Sequence, residues 1–450
     1  MLDIKFIREN AAAVKKGAAD KHIQCDVDRL LAVDERRRAL QHELDELRRQ
    51  TNEMGSQVGL YRNPKWIEKQ GISKEEADKQ AAELHQQLSE IKAGIKTREA
   101  EESEILPEFK RLMDLIPQPA DPEAPYGRDE TEGVELRKWG EIPKFDFEPR
   151  DHVQLGTDLG ILDLERGVKL AGSRNYVLKG DGALLYHAVL RLAFDMLLER
   201  GYQPMQVPVL VSEEAMYGTG YFPTGRDQAY LCERDGLSLI GTAEVPLTAL
   251  HSDEILAESD LPKRFFAVST CFRREAGAAG KDTHGLYRVH VFDKVEQVIL
   301  CRNDKEESKR FHAEILQNSE DLMQKLEVPY RVINVCTGDL GMGHVQKFDI
   351  EAWMPSRDSY GETHSASRFY DFQARRLNMR YKQLARRVTV EKPGRIASIR
   401  YCHTLNNTMI ALPRVLIPLL ELNQQPDGTI TIPTALRPYM AGREAISSEQ

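Results

Sequence analysis

Apolar residues at alternating three- and four-residue spacing constrain this chain more than any other feature. From Cys25 to about Val58 they run Leu30, Val33, Leu40, Leu44, Leu47, Met54 and Val58, interrupted by Arg37 and Thr51. That period lays one stripe along a helix and leaves the stripe in need of a partner. A second stripe supplies it: Ala77, Ala81, Leu84, Leu88, Ile91 and Ile95, then Arg98 and Glu102, then Ile105, Phe109, Leu112 and Ile116. It stops at Pro117, which cannot continue a helix. Gly55, Gly59, Asn63, Pro64 and Gly71 lie between the stripes, so the simplest arrangement is an antiparallel helical hairpin with a turn-rich tip. At 1.5 Å rise per residue, a helix of about 30 residues reaches roughly 45 Å, far enough to touch something distant from the body.

The hairpin accounts for only part of 450 residues, a length that fits two or three domains and excludes a peptide hormone or a lone binding module. Residues 117–150 carry Pro117, Pro119, Pro122, Pro125, Pro143 and Pro149 among many carboxylates, and read as a linker leading into a second domain. The expected division is a helical arm over 1–116 and a larger domain over 117–450. In the latter, β-rich runs such as 208–211, 265–268 and 295–300 alternate with amphipathic stretches at 184–199 and 305–326. An α+β fold, a sheet with flanking helices, follows.

Charge narrows the partners. With 62 Lys+Arg against 71 Asp+Glu the formal charge is −9, which argues against a globally basic coat for DNA or RNA and leaves room for a local basic stripe. No run of about 18 apolar residues is present, so no membrane span is expected. The opening Met1-Leu2-Asp3-Ile4-Lys5-Phe6 has mixed charge and no signal-like apolar run, and a cytoplasmic location is expected. The six cysteines are dispersed with no Cys-x-x-Cys pair, so reduced thiols are expected.

Two glycine-rich segments invite a phosphate-loop reading and fail it. In Gly277-Ala278-Ala279-Gly280-Lys281-Asp282 the glycine spacing is too short, and Asp282 stands where a magnesium-binding hydroxyl belongs. Gly341-Met342-Gly343-His344 reads as a turn. More informative is Cys271-Phe272-Arg273-Arg274-Glu275-Ala276-Gly277, followed by Arg288 to Glu296, two strand-like runs around a polar loop. Chemistry on ATP needs fixed positive charge at the phosphate under attack, and a guanidinium offers a two-pronged donor that an ammonium cannot. Arg273 is the candidate. Taken by itself, the same cluster reads more readily as the solvated surface of a hairpin.

Context comes from a resemblance. Phe-Arg-Arg-Glu-Ala-Gly (272–277), with its return Phe292-Asp293-Lys294-Val295-Glu296, resembles motif 2 of class II aminoacyl-tRNA synthetases in the form found in the bacterial-type seryl-tRNA synthetases. Gly201 to Pro208 resembles motif 1, whose strand forms the dimer interface in that family. Leu405-Asn406-Asn407-Thr408 to Pro413-Arg414, ending in Leu419-Leu420-Glu421, resembles motif 3, and Gly241 to Leu247 is similar to the family's serine-pocket segment. With the hairpin, these likenesses cover nearly the whole chain in order.

The resemblance implies a class II catalytic domain with an antiparallel sheet flanked by helices, in a homodimer. It implies activation of serine with ATP to seryl-adenylate, then transfer to the 3′ end of tRNA(Ser), and of tRNA(Sec) in a host that has one. Arg273 and Glu275 are implied as catalytic, Arg273 at the α-phosphate and Glu275 near the adenine amino group. Arg274, Val289, Phe292, Thr363, His364 and Arg414 join them around ATP, with Phe292 and Arg414 on the two faces of the adenine. Glu362 and Ser365 are implied to hold Mg²⁺, whose hard charge takes oxygen ligands. Thr242, Ala243, Glu244, Glu296 and Thr408 are implied around serine. The arm's basic residues, Arg36, Arg37, Arg38, Arg48, Arg49, Lys92, Lys96 and Arg98, are by composition a solvated face, and by resemblance contacts to tRNA shape and backbone.

Departures from the family pattern put the nucleotide rim in question. Val291 stands where glutamine is common, Thr363-His364 replaces a small pair, and Arg368-Phe369-Tyr370 replaces an asparagine and smaller residues. Three alternatives remain beside the serine–tRNA ligase reading: a paralogue loading serine onto another acceptor, an inactive RNA-binding paralogue, and a coiled-coil interaction protein.

Overall fold

The computed structural model describes residues 1–276, 284–383 and 398–448. The phosphate-loop look-alike from Gly277 to Asp282 therefore lies outside the described residues. The chain divides into two compact units, one of Asp3–Lys15 and Gln24–Ile116, the other of Met1–Leu2, Lys16–Ile23 and Pro117–Gln450.

In the smaller unit, α1 (Val27–Tyr61) and α2 (Lys74–Asp114) form the hairpin. Each starts at a side-chain cap, Asp26 accepting the Arg29 N–H and Ser73 accepting the Glu76 N–H. Leu30, Val33, Leu40, Leu44 and Val58 bury one stripe, and Ala77, Ala81, Leu88 and Leu112 the other. The tip is more helical than its glycines and proline suggest. α1 runs on through Gly55 and Gly59, and Pro64 begins a short helix, Pro64–Gln70, whose Asn63 cap accepts two N–H groups. Proline costs nothing at a first helical position, where its missing N–H would be unpaired anyway.

The larger unit is built on an eight-stranded sheet: β1 (Val134–Trp139), β2 (Gln203–Pro204), β3 (Lys263–Phe272), β4 (Val291–Cys301), β5 (Tyr330–Asn334), β6 (Gln346–Met354), β7 (Ser359–Arg368) and β8 (His403–Leu412). The spatial order is β1-β5-β6-β7-β8-β4-β3-β2, antiparallel except where the short β2 pairs with β3. The segment read as a linker thus contributes an edge strand: 134–139 lacks proline and pairs antiparallel with β5.

β4 shows how the sheet divides its work. Val295, Ile299 and Cys301 point into the larger core with α3 (Asp181–Glu199) and α4 (Lys305–Lys325). The opposite face carries Val298 and Leu300 into a second core, and Phe292, Lys294 and Glu296 into a cavity. Because side chains alternate along a strand, one β4 register sets both core and cavity. Between β4 and β8 the register shifts at Val295/Glu296, leaving Met409 as an extra residue. Before that bulge Asn406 and Thr408 face the cavity, and after it Ala411 does.

Candidate active site

The cavity holds about 400 Å³ and collects residues from β4, β7 and β8, from the helix that starts at Glu244 and from the loops around them. Of the residues implied by the resemblance, Glu244, Arg273, Glu275, Val289, Phe292, Glu296, Glu362, Thr363, His364, Ser365, Thr408 and Arg414 all line it. Thr242, Ala243 and Arg274 do not. Thr242 and Ala243 are buried at the start of the helix Glu244–Ala249, with the Thr242 hydroxyl accepting the Glu244 N–H at 3.2 Å. Arg274 bonds through its main chain to the Gln228 carbonyl at 2.9 Å.

One end of the cavity is basic and aromatic. The Arg273 guanidinium lies 5.2 Å from the centre of the Phe292 ring and donates through Nε to the Gly241 carbonyl at 3.3 Å. Arg414 lies 4.5 Å from the Tyr287 ring and donates to the Tyr287 carbonyl at 3.2 Å and the Glu362 carbonyl at 2.9 Å. Phe292 and Arg414 therefore each have one cation–ring partner, Arg273 and Tyr287 respectively. Glu275, at φ 53°, accepts from Arg288 at 3.0 Å. A left-handed conformation is uncommon for a residue with a Cβ, and it turns the main chain where β3 ends.

The other end is acidic. Glu296 is 1% exposed, stands opposite Thr408 in the sheet and is ion-paired with Lys294. Glu244, on the facing helix, accepts from Gln373 at 2.8 Å. Burial, and then the Glu296 charge, push the Glu244 carboxyl up to about 7.

Glu362 and Ser365 sit on β7. Desolvation raises Glu362, but Arg414, Lys347, Arg273 and Arg288 outweigh it and hold the carboxyl below its ordinary value. Behind them Asp349, opposite Ser365 in the sheet, is pushed up to about 7 by burial, against the pull of Lys347. Among the described residues there is no cluster of three or more His, Cys, Asp or Glu side chains that could cage a metal. A carboxylate and a hydroxyl fit a magnesium ion whose remaining ligands are phosphate oxygens and water. His364 is neutral, since burial lowers it to about 3, and its Nδ1 lies 2.8 Å from the Thr363 hydroxyl.

The departures resolve physically. Arg368 does not reach the cavity. It is 1% exposed, donating to Gln346 at 2.9 Å and paired with Asp121 at 3.2 Å, and Tyr370 donates to the same Asp121. Phe369 does line the cavity and packs on His344 at 4.6 Å between ring centres. Val291 is half-exposed at the start of β4 and does not line the cavity.

Sequence reasoning missed Lys294, Tyr287, Arg288 and the Gly341–His344 turn, all of which line the cavity. Lys294 was findable, since it lies between Phe292 and Glu296 at a spacing of two. The Gly341–His344 turn was not. It is held by Lys21, which is 3% exposed and donates to the carbonyls of Gly341 at 3.0 Å and His344 at 2.5 Å. Nothing in the sequence links positions 320 residues apart.

An antiparallel sheet carrying an arginine-rich cavity on one face is the core of the class II aminoacyl-tRNA synthetases. Residues 230–423 match the family model for the tRNA synthetase class II core domain (G, H, P, S and T), and residues 1–119 match that for the seryl-tRNA synthetase N-terminal domain. The serine–tRNA ligase of Rubrobacter xylanophilus is 43% identical over 447 residues, covering 99% of each chain. Among solved structures, seryl-tRNA synthetase from Pyrococcus horikoshii complexed with ATP is 36% identical with a TM-score of 0.80, covering 99% of each chain. The cytoplasmic serine–tRNA ligase from Naegleria fowleri in complex with AMP is 29% identical with a TM-score of 0.84, covering 100% of this chain and 99% of the other. The chain belongs to the seryl-tRNA synthetase family.

Proposed function

We propose that this chain joins serine to tRNA(Ser) in two ATP-dependent steps within the one cavity. In the first, a serine carboxylate oxygen attacks the α-phosphorus of ATP, the bond to the β-phosphate breaks and pyrophosphate leaves. In the second, a ribose hydroxyl at the 3′ end of the tRNA attacks the seryl carbonyl carbon and AMP leaves. The observation that carries this reading is that Arg273, Glu362 and Arg414 line the same single cavity as Glu244, Glu296 and Thr408.

Each residue then has a task its surroundings suit. Arg273, held by the Gly241 carbonyl, meets the charge that grows on the α-phosphate. Phe292 and Arg414 offer a ring and a guanidinium plane to adenine, and Glu275 an acceptor for its amino group. Glu244 and Glu296 take the serine ammonium, with Lys294 limiting the negative charge between them. The Thr408 hydroxyl bonds the serine side chain. Magnesium, held by Glu362 and Ser365 together with the phosphates, would add positive charge where pyrophosphate departs.

The arm is the proposed tRNA contact. Arg36, Arg48 and Arg98 pair with Glu101, Glu99 and Glu43 across the hairpin, while Lys92 and Lys96 are exposed. Phosphate contacts from such a face make binding fall with salt. The reading extends to a cytoplasmic homodimer, and to tRNA(Sec) in a host that has one. Light scattering at twice the chain mass supports the dimer, and a single-chain mass refutes it.

The test is serine-dependent exchange of labelled pyrophosphate into ATP, run beside alanine and threonine, then transfer to total tRNA. Exchange with serine and charging of serine tRNA support both steps. Exchange without charging points to another acceptor, and no exchange refutes the reading.

A further inference from the structure

Behind the nucleotide end of the cavity stands a buried polar clasp. His152 begins the helix His152–Asp158, Glu421 lies in the helix Leu416–Leu422, and they are 3% and 0% exposed. Glu421 Oε1 accepts the His152 main-chain N–H at 3.0 Å and lies 2.7 Å from its ring Nδ1, and Oε2 accepts the Ser356 N–H at 2.9 Å. On the far side of the ring, Nε2 accepts the Leu286 N–H at 3.2 Å. A main-chain amide can only donate, so Nε2 must carry a bare lone pair. The partner of Nδ1 is a carboxylate oxygen, so the ring proton sits there. The network admits one tautomer, the neutral imidazole protonated at Nδ1.

The main chain passes this ring as closely as it can. Gly285 has φ +64°, and a Cβ on it would lie 2.0 Å from His152 Nε2. The stretch from Leu286 to Val289 then forms the cavity wall. Its Tyr287 ring lies between two guanidinium groups, Arg357 at 4.2 Å and Arg414 at 4.5 Å, and its carbonyl accepts from Arg414. The clasp therefore holds the tyrosine through Leu286 and the neighbouring Arg357 segment through Ser356, and Arg414 rests on what they fix.

We propose that His152 and Glu421 are positioning residues for the nucleotide. The imidazole carries the anchorage of Glu421 across to the Leu286 amide, so that Tyr287 and Arg414 are already in place when ATP arrives. This inference rests on the reading of the cavity as an ATP site.

The two ring nitrogens give the test. Asparagine can keep a donor towards Glu421 where Nδ1 stands, but it offers nothing to Leu286. Glutamine can place an acceptor where Nε2 stands. In pyrophosphate exchange, His152→Asn is expected to raise the KM for ATP about tenfold, the scale of one lost buried hydrogen bond. The KM for serine should stay within about twofold, and His152→Gln should recover most of the ATP affinity. An unchanged KM for ATP in His152→Asn, or equal rises for ATP and serine without recovery in His152→Gln, overturns the inference. Should His152→Asn fail to fold, Gly285→Ala, whose Cβ would enter the imidazole's place, must give the same split between ATP and serine. Equilibrium binding of ATP to the unaltered chain separates the two failures. Without ATP binding the cavity reading falls, whereas binding unaffected by His152→Asn removes the positioning role alone.

Discussion

Glu296 on β4 stands opposite Thr408 on β8, beside the bulge that leaves Met409 without a partner. The carboxylate is 1% exposed and the threonine 8%, so a ligand group between them has little water to turn to. Geometry of this kind discriminates by what is missing. A ligand without the expected hydroxyl leaves a buried polar group unpaired, and the site pays for its desolvation in full.

Serine is accordingly expected to exceed alanine in kcat/KM by about 10⁴ to 10⁵, the range open to a site that hydrogen-bonds its substrate's hydroxyl. Thr408→Val should narrow that ratio by about tenfold or more, since one buried partner of the hydroxyl is gone. Steady-state exchange with each amino acid measures both, and an unchanged ratio in the variant removes Thr408 from the recognition of serine.

Arg273→Ala is expected to lower serine-dependent exchange by about 10² to 10³, the usual loss on removing one donor aimed at developing charge. Arg273→Lys should recover only part, because an ammonium cannot supply the two-pronged contact. Binding of tRNA, followed by filter retention, should remain. Equal loss of both activities would mean that the fold had been damaged.

Glu244 couples stability to pH. Its carboxyl titrates near 7 in the folded chain against 4.5 when unperturbed. Between those values the folded chain holds a proton that the unfolded chain has lost, so this group's contribution to stability falls as pH rises from about 4.5 to about 7 and stays low above. Glu244→Gln removes the penalty, stabilising the chain by on the order of 2–3 kcal/mol at pH 8 and much less at pH 5. Denaturant unfolding at the two pH values reads the difference, and equal changes at both would place the titration elsewhere.

Arg368 is the opposite case, a charge that belongs to the core. Arg368→Ala takes the cation from a half-buried Asp121, which keeps its bond from Tyr370, and is expected to cost about 1–3 kcal/mol. Since the side chain does not line the cavity, the KM for ATP should hold. A rise in that KM with stability unchanged would return Arg368 to the nucleotide rim.

The hairpin was legible because it is local. Its stripes repeat every three or four residues, and burying them against each other satisfies the pattern with no information from elsewhere. The tip was not, because a glycine costs a helix only about 1 kcal/mol, and α1 carries Gly55 and Gly59 on an exposed stretch without breaking. Most of the candidate site was legible through short motifs, each lying within one strand or one helix start. The place of Arg368 was left open by the sequence for a different reason. Sequence places a large cation beside the nucleotide motif, but whether it faces the cavity depends on Gln346 and Asp121, which come from elsewhere in the chain.

The sequence by itself therefore determined the two stripes of the hairpin, the strand runs at 265–268 and 295–300 and most of the motif residues that line the cavity, because these follow from periodicity and from runs of neighbouring residues. Only the tertiary structure decided which of those groups share a cavity and what stands behind them. Lys21 beneath the Gly341–His344 turn, Arg368 against Asp121 and His152 between Glu421 and Leu286 are pairings set by close packing. A buried polar group must find its partner wherever the folded chain brings one, and that partner can lie hundreds of residues away.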